Sequence, residues 1–346
     1  MTRSFKRPQK TIVIPADSVP YEPAGSRAMH FPISGVEVSP FVPPLVAFAI
    51  SSFTSAGGVS GAILLLPFQV SVLGFTSPAV SATNQLFNIV AIPSGVARYV
   101  REGRMVWPLT WVVVAGTLPG VLIGALIRVR WLPDPAAFKV FAGAVLLYIG
   151  ARFARDLIHG GSRHASAQAA EQRFQQTVRR NREQPEADGE QAPGAVAVSR
   201  FSLTKITYQF HGEVFDIATP GIFALAFVIG IVGGIYGIGG GAIIAPFLVA
   251  FFGLPVYTVA GAALAGTFIT SVAGVSFYQA MAPLYPGLTV APDWPLGLLF
   301  GLGGAAGMYC GARLQKHLPA RVIKWILVAV ILSVAASYLT GIARLL

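Results

Sequence analysis

The sequence predicts an all-α polytopic membrane protein, with about eight transmembrane segments arranged as two homologous four-helix repeats whose first helices are broken by glycines. Three observations carry that expectation. Of 346 residues, 54% are hydrophobic and only 11% are charged, against about 25% charged in a soluble globular chain. The run from Phe41 to Phe75 holds no charge at all, and it exceeds the ~20 residues that cross a bilayer as a helix. The second half of the chain also repeats the first at fixed offsets. The same composition excludes a disordered, collagenous or disulfide-built chain, because apolar residues dominate, the 38 glycines follow no triplet period and Cys310 is the single cysteine.

In order along the chain, residues 1–40 form a polar tail with Arg3, Lys6, Arg7, Lys10 and Arg27, ending in an alternating stretch from His30 to Val38 that has strand character. Residues 1–30 lack the apolar core of a secretory signal, so the first apolar segment is expected to remain in the mature protein. The first membrane repeat covers 41–152. It opens with the long run whose interruption is expected at Ser55 to Gly61, and continues with apolar runs at 78–97, 107–127 and 138–152. A hydrophilic linker with a short hairpin covers 153–219, rich in Arg, Gln, Glu and Ala up to about residue 205, and reads as a solvated tether. The second repeat, 220–346, holds the runs 220–252, 256–278, 294–312 and 322–343.

An offset of 179 places Gly58 on Gly237, Gly61 on Gly240, Pro67-Phe68 on Pro246-Phe247, Gly74 on Gly253, and Gly95, Val96 and Tyr99 on Gly274, Val275 and Tyr278. After an eight-residue insertion, an offset of 187 places Trp107-Pro108-Leu109 on Trp294-Pro295-Leu296, and Gly116, Gly120 and Gly124 on Gly303, Gly307 and Gly311. Retained Trp-Pro pairs and glycines mark a duplication rather than a shared apolar composition. The two Gly-x-x-x-Gly ladders set small residues on one helical face, a scaffold for close helix packing.

The net charge of +11 is concentrated in the tail and loops, where it orients a membrane protein; no nucleic-acid partner is expected. Charge in the tail, at Arg98 to Arg104 and in the linker agrees with four crossings per half and a cytoplasmic N terminus in the cell membrane. Arg128, Arg130, Arg313, Lys316, Arg321 and Lys324 disagree with it. A re-entrant glycine-broken segment would change the parity and could invert the repeats; four plus four remains the expectation.

Chemistry is expected at mid-membrane, where interrupted helices free their backbone groups. Two stretches qualify: Gly57, Gly58, Ser60 and Gly61, and Gly237, Gly239, Gly240 and Gly241. Successive N–H groups of such glycines, followed by a helix N-terminus, bind anions without a buried cation; a hinge or a close helix contact is the plainer use. The match of Gly237 to Ala242 to a dinucleotide fingerprint fails, since no strand precedes it and the next acidic residue is Asp293. The second helix of each half adds Asn84, Gln85 and Asn88 in one case and Thr267, Thr270 and Ser271 in the other, as substrate contacts or as interhelical hydrogen bonds. No acidic or basic residue lies centrally in an apolar run, no histidine spacing suits a metal, and there is no P-loop or nucleophile elbow. The expectation is a non-enzyme with no cofactor and no metal.

The duplicated halves, Gly237-Ile-Gly-Gly-Gly-Ala-Ile-Ile-Ala-Pro-Phe247, Ala265-Gly266-Thr267 followed by Ser271, and the hairpin-like Tyr208 to Val214 together resemble the TauE/SafE sulfite exporter family over about residues 30–345. The first half departs from its glycine triplet with Ser60-Gly61-Ala62, and the tail and linker are longer than its compact pattern. The resemblance implies a transporter of sulfite, of sulfonates such as sulfoacetate or toluene sulfonate, or of related anions. Its partners would be a small sulfur oxyanion and the lipid bilayer, with a homo-oligomer as a further option. Export is the favoured direction, because an inside-negative potential drives an anion out by ~2.3 kcal/mol per charge per ~100 mV. Ion-coupled uptake is the alternative, and a membrane scaffold or membrane enzyme the other class.

Overall fold

The computed structural model describes residues 28–56, 60–101, 103, 105–159, 196–210, 212–314 and 320–343; the candidate residues Gly57 and Gly58 lie outside them. The described residues are mostly helical. A hairpin of β1 (Met29–Phe31) and β2 (Val36–Val38) precedes α1 (Val42–Ala56), α2 (Ala62–Ser71), α3 (Ala79–Ala91), α4 (Pro93–Arg101), α5 (Trp107–Arg130) and α6 (Pro135–His159). An antiparallel sheet of β3 (Ala197–Phe201), β4 (Lys205–Phe210) and β5 (Glu213–Ala218) leads into α7 (Thr219–Tyr236), α8 (Gly241–Phe252), α9 (Val256–Met281), α10 (Trp294–Leu314) and α11 (Ala320–Ala343). Five spans among the described residues are long and apolar enough to cross a membrane: Trp107–Arg130, Pro135–Ile158, Thr219–Tyr236, Val256–Leu284 and Val322–Gly341. Val42–Ser55 and Ala62–Ser71 are apolar but shorter.

Glycine sets the helix pairing. A Cβ at Gly116, Gly120 or Gly124 of α5 would overlap the carbonyl oxygens of Phe223, Phe227 and Ile231, so α5 and α7 lie backbone on backbone and run parallel. A Cβ at Gly303, Gly307 or Gly311 of α10 would overlap those of Pro44, Phe48 and Ser52 in the same sense. Both carbonyl series follow one helical face at a four-residue step. The partners 44, 48 and 52 also lie 179 residues before 223, 227 and 231. Gly143 and Gly150 of α6 meet Tyr338 and Leu332 of α11, which makes that pair antiparallel.

Contacts at the helix ends sort them onto two faces. On one, Asp293 N donates to Thr83 Oγ1 (2.9 Å), Ser34 N to Asp293 Oδ2 (2.9 Å) and Ala79 N to Thr289 O (3.0 Å), which gathers the starts of α1, α3 and α10. On the other, the Tyr208 and Thr258 hydroxyls are 2.9 Å apart, Thr219 N donates to Thr204 O (3.1 Å) and Val196 N to Gly103 O (3.2 Å), which gathers the sheet and the starts of α5, α7 and α9. α1 and α7 therefore begin at opposite faces.

The long apolar run 220–252 goes out and back rather than straight across. A Cβ on Gly233 would lie 2.7 Å from Gly239 O, and one on Gly221 would lie 3.3 Å from the Phe252 ring, so α8 returns antiparallel along α7. Gly237 and Gly239, with φ of 82° and 76°, turn the chain in a region that side chains with a Cβ avoid. In the first half, a Cβ at Gly61 would lie 3.4 Å from the Ser51 Cα, and Ser71 Oγ at the end of α2 donates to Tyr338 Oη (2.9 Å).

The sheet sits against the helix ends through one face of β4, where Ile206, Tyr208 and Phe210 are buried at alternate positions. Burial pushes the Tyr208 phenol above its ordinary pKa. On the wet face, hydrogen bonds from Lys205 and Thr207 hold the Asp216 carboxyl below its ordinary value.

Candidate functional site

α3 carries buried polar side chains at Ser81, Asn84, Gln85 and Asn88, a three- and four-residue spacing that puts them on one face. That face meets the tip where α7 turns into α8. Ser81 Oγ donates to Ile235 O (2.9 Å), Asn84 Nδ2 to Gly237 O (3.1 Å), and Asn88 Nδ2 to Ile238 O (2.8 Å). Asn84 Nδ2 also donates to Ala62 O (3.0 Å), the first residue of α2, while its Oδ1 accepts from Gln69 Nε2 (3.2 Å). One amide thus bonds the opening of α2 and the tip of α7, elements far apart in the sequence. Tyr236 repeats the connection, its hydroxyl donating to Ile63 O (2.9 Å), and Tyr278 Oη donates to Gly234 O (3.2 Å).

From the other side, α9 presses on the same tip. A Cβ at Gly239 would lie 2.9 Å from Ser271 Oγ and 3.1 Å from Thr267 Cγ2, and one at Gly241 would overlap Ala263 O and lie 2.6 Å from Thr267 N. A Cβ at Gly240 would lie 2.5 Å from the Thr117 Cβ of α5. Ser271 Oγ accepts from Asn88 Nδ2 (3.4 Å), joining α9 to α3. The hydroxyls of Thr267 and Thr270 donate to their own helix, at Ala263 O (2.8 Å) and Gly266 O (2.7 Å). Ser60 is buried, and its Oγ accepts from Ala62 N (3.3 Å) at the start of α2.

The structure therefore gathers Gly237, Gly239, Gly240, Gly241, Asn84, Asn88, Thr267 and Ser271 around one tip, with Ser60 and Gly61 joined to it through the first turn of α2. Gln85 stands on the same helix against Gly274 of α9. Thr270 is turned to its own backbone. The donor atoms of Asn84 and Asn88 are engaged with carbonyls, which is the interhelical-bond alternative for those amides. None of these residues is charged, so the local field comes from backbone and side-chain dipoles; the first N–H groups of α8 have no acceptor within their own helix.

Sequence reasoning did not single out Gln69 or the Tyr236 hydroxyl for this network, nor the burial of Arg128 away from it. Gln69 and Tyr236 were accessible as lone polar residues in apolar runs. Arg128, fully buried at the end of α5, donates to Thr76 O (3.0 Å) and to Leu132 O and lies 3.8 Å over the Phe138 ring. It closes a helix C-terminus at one face and stands apart from the tip. No group of three or more metal-ligating side chains occurs among the described residues.

The family model of the sulfite exporter TauE/SafE matches residues 44–338, from the first turn of α1 into α11. The chain belongs to the TauE/SafE family. It is a multi-pass integral membrane protein of a transporter family. No curated protein and no solved structure matches the chain.

Proposed function

We propose that the protein is a secondary transporter that exports sulfite or a small organosulfonate across the cell membrane, and that the anion binds where the α7–α8 tip meets α3 and α9. The observation that carries this reading is the uncharged tip itself, where glycine backbone, amides and hydroxyls meet within the apolar bundle. Such a site offers a sulfur oxyanion the first N–H groups of α8 and the Gln85 amide, while Asn84 and Asn88 hold the carbonyls of the tip. It holds the anion without the tight pairing that a buried cation would impose, which suits release on the far side.

We further read the membrane part as two homologous halves, 41–152 and 220–346, each opened by a helix and a shorter returning helix. The tail 1–40 and the linker with its sheet at 153–219 lie outside them. Because α1 and α7 begin at opposite faces, we read the halves as inverted rather than parallel, with α5 of the first half paired to α7 of the second and α10 of the second paired to α1 of the first. This arrangement supports alternating access by rocking one half against the other.

Inversion also re-sorts the charges. Arg101, Arg155, Arg200 and Lys205 all fall at the face where α7 begins, which is then the cytoplasmic one. On this reading the β1–β2 hairpin faces the outer side, the opposite of the cytoplasmic N terminus that the sequence favours. In a Cys310→Ser background, Leu203→Cys should be labelled by a membrane-impermeant thiol reagent only in inside-out vesicles; labelling in intact cells would reverse the orientation.

The function is tested by flux in proteoliposomes loaded with sulfite, sulfoacetate, toluene sulfonate or sulfate. Saturable, protein-dependent movement of at least one of the first three, faster than sulfate, is expected. Rates equal to those of empty liposomes for all of them would refute transport of this substrate class.

A further inference from the structure

The antiparallel crossing of α3–α4 with α9 holds two contacts related by the offset of 179. In one, the Gln85 side chain lies against Gly274; in the other, the Leu264 side chain lies against Gly95, with Leu264 Cδ1 3.4 Å from where a Cβ on Gly95 would stand. Leu264 establishes what the crossing needs mechanically, which is an extended side chain against a glycine. Gln85 fills that space with an amide instead. It is fully buried, and neither Nε2 nor Oε1 has a hydrogen-bond partner among the described residues. Its neighbours differ: Asn84 and Asn88 direct their Nδ2 atoms at the carbonyls of Ala62, Gly237 and Ile238.

A buried amide without partners opposes folding, so an apolar side chain would serve packing better at this position. Asn88, one turn further along α3, adds an Oδ1 that has no hydrogen-bond partner among the described residues, while its Nδ2 donates to Ser271 Oγ (3.4 Å). The unspent hydrogen-bonding capacity of the crossing is thus collected on the face that meets α9, in the first half's contact and not in the second's.

We propose that Gln85 is the specificity-determining contact for the transported anion, donating from its amide to one oxygen of a small sulfur oxyanion once the tip separates from α9. The assignment rests on the transport reading above and adds which side chain selects the substrate. Asn84 and Asn88 shape the tip, and Gly274 supplies the clearance in which the Gln85 amide turns. Because the amide is neutral, it discriminates by hydrogen-bond geometry, so its loss changes the ranking of sulfite against sulfonates as well as the rate.

The test compares wild type with Gln85→Leu, which makes the two contacts alike, and with Gln85→Met as a second apolar variant of similar length. Purified in detergent, both variants are expected to melt at or above the wild-type temperature, since two unpartnered polar atoms have been removed. In proteoliposomes they should move sulfite and sulfoacetate at least tenfold more slowly, with an altered ratio of kcat/KM between the two anions. Sulfite-induced thermal stabilisation, present in wild type, should be absent from both. Apolar variants that transport at the wild-type rate and ratio would overturn the assignment, as would variants that both fail to fold. A wild-type protein that moves none of these anions would instead remove the transport reading, and this assignment with it.

Discussion

Where α5 lies on α7, and again where α10 lies on α1, three glycines a helical turn apart let one backbone rest on the carbonyls of the other; the α1–α10 seam adds one side-chain bond, from Ser55 Oγ to Met308 O (3.2 Å). Where α3 and α9 close on the tip of α7, the seam is filled with amides, hydroxyls and a tyrosine, and the carbonyls of Gly234, Ile235, Gly237 and Ile238 are each met by a side-chain donor. The two ladders are equivalent by the offsets 179 and 187, residue for residue. The central crossing is not, since Asn84, Gln85 and Asn88 correspond to Ala263, Leu264 and Thr267. Backbone-to-backbone packing tolerates little change at a ladder glycine, and those six positions are alike in both halves, whereas the centre, where the proposed ligand site lies, differs.

The sharpest way to break this comparison is to fill a ladder. Gly120→Leu or Gly307→Leu should destabilise the protein by about 3 kcal/mol, because the new side chain would have to displace a partner helix. The expected readout is loss of the monodisperse peak in detergent chromatography, similar for both variants. Tolerance of one but not the other would show that the two seams are not equivalent.

Asn84→Ala comes next. It leaves Gly237 O and Ala62 O without the donor that joins the α7 tip to α2, at a cost of about 1–3 kcal/mol. Thermal stability and flux should fall together, in contrast to the separation expected for Gln85→Leu. Full stability in Asn84→Ala would place the amide with Gln85 as a ligand contact rather than a brace.

The smallest effect belongs to Tyr236→Phe, which removes the hydroxyl bonded to Ile63 O while keeping the ring; about 1 kcal/mol is expected. A measured loss well above that would mean the phenol also organises the turn at Gly237.

The apolar runs and the helices coincide closely because helix in a bilayer is dictated by unmet backbone groups, which any charge-free run of sufficient length must satisfy internally. The strand character at His30 to Val38 appears as β1 and β2, and the Tyr208 to Val214 turn as part of a three-strand sheet. What the sequence could not convey was direction. A run of apolar residues interrupted by glycines reads alike whether the chain continues across or doubles back. Only contacts such as Gly221 with Phe252 distinguish the two. The polar residues of α3 were visible as exceptions in an apolar segment, but their roles depend on which carbonyls lie opposite. Asn84 and Asn88 meet the carbonyls of 237 and 238, and Gln85 meets a glycine, a difference set by one helical step that no composition encodes.

In the proposed export an anion bound only by neutral dipoles crosses with its own charge uncompensated. Voltage dependence tests it most directly: efflux and uptake of a permanently ionised sulfonate in proteoliposomes clamped at ~100 mV, inside negative. Each net charge moved across that potential is worth ~2.3 kcal/mol, so efflux should accelerate, uptake should slow, and the equilibrium gradient should shift by about 50-fold. Efflux that ignores the imposed potential would contradict the account and mean that a co-transported cation or an exchanged anion balances the substrate.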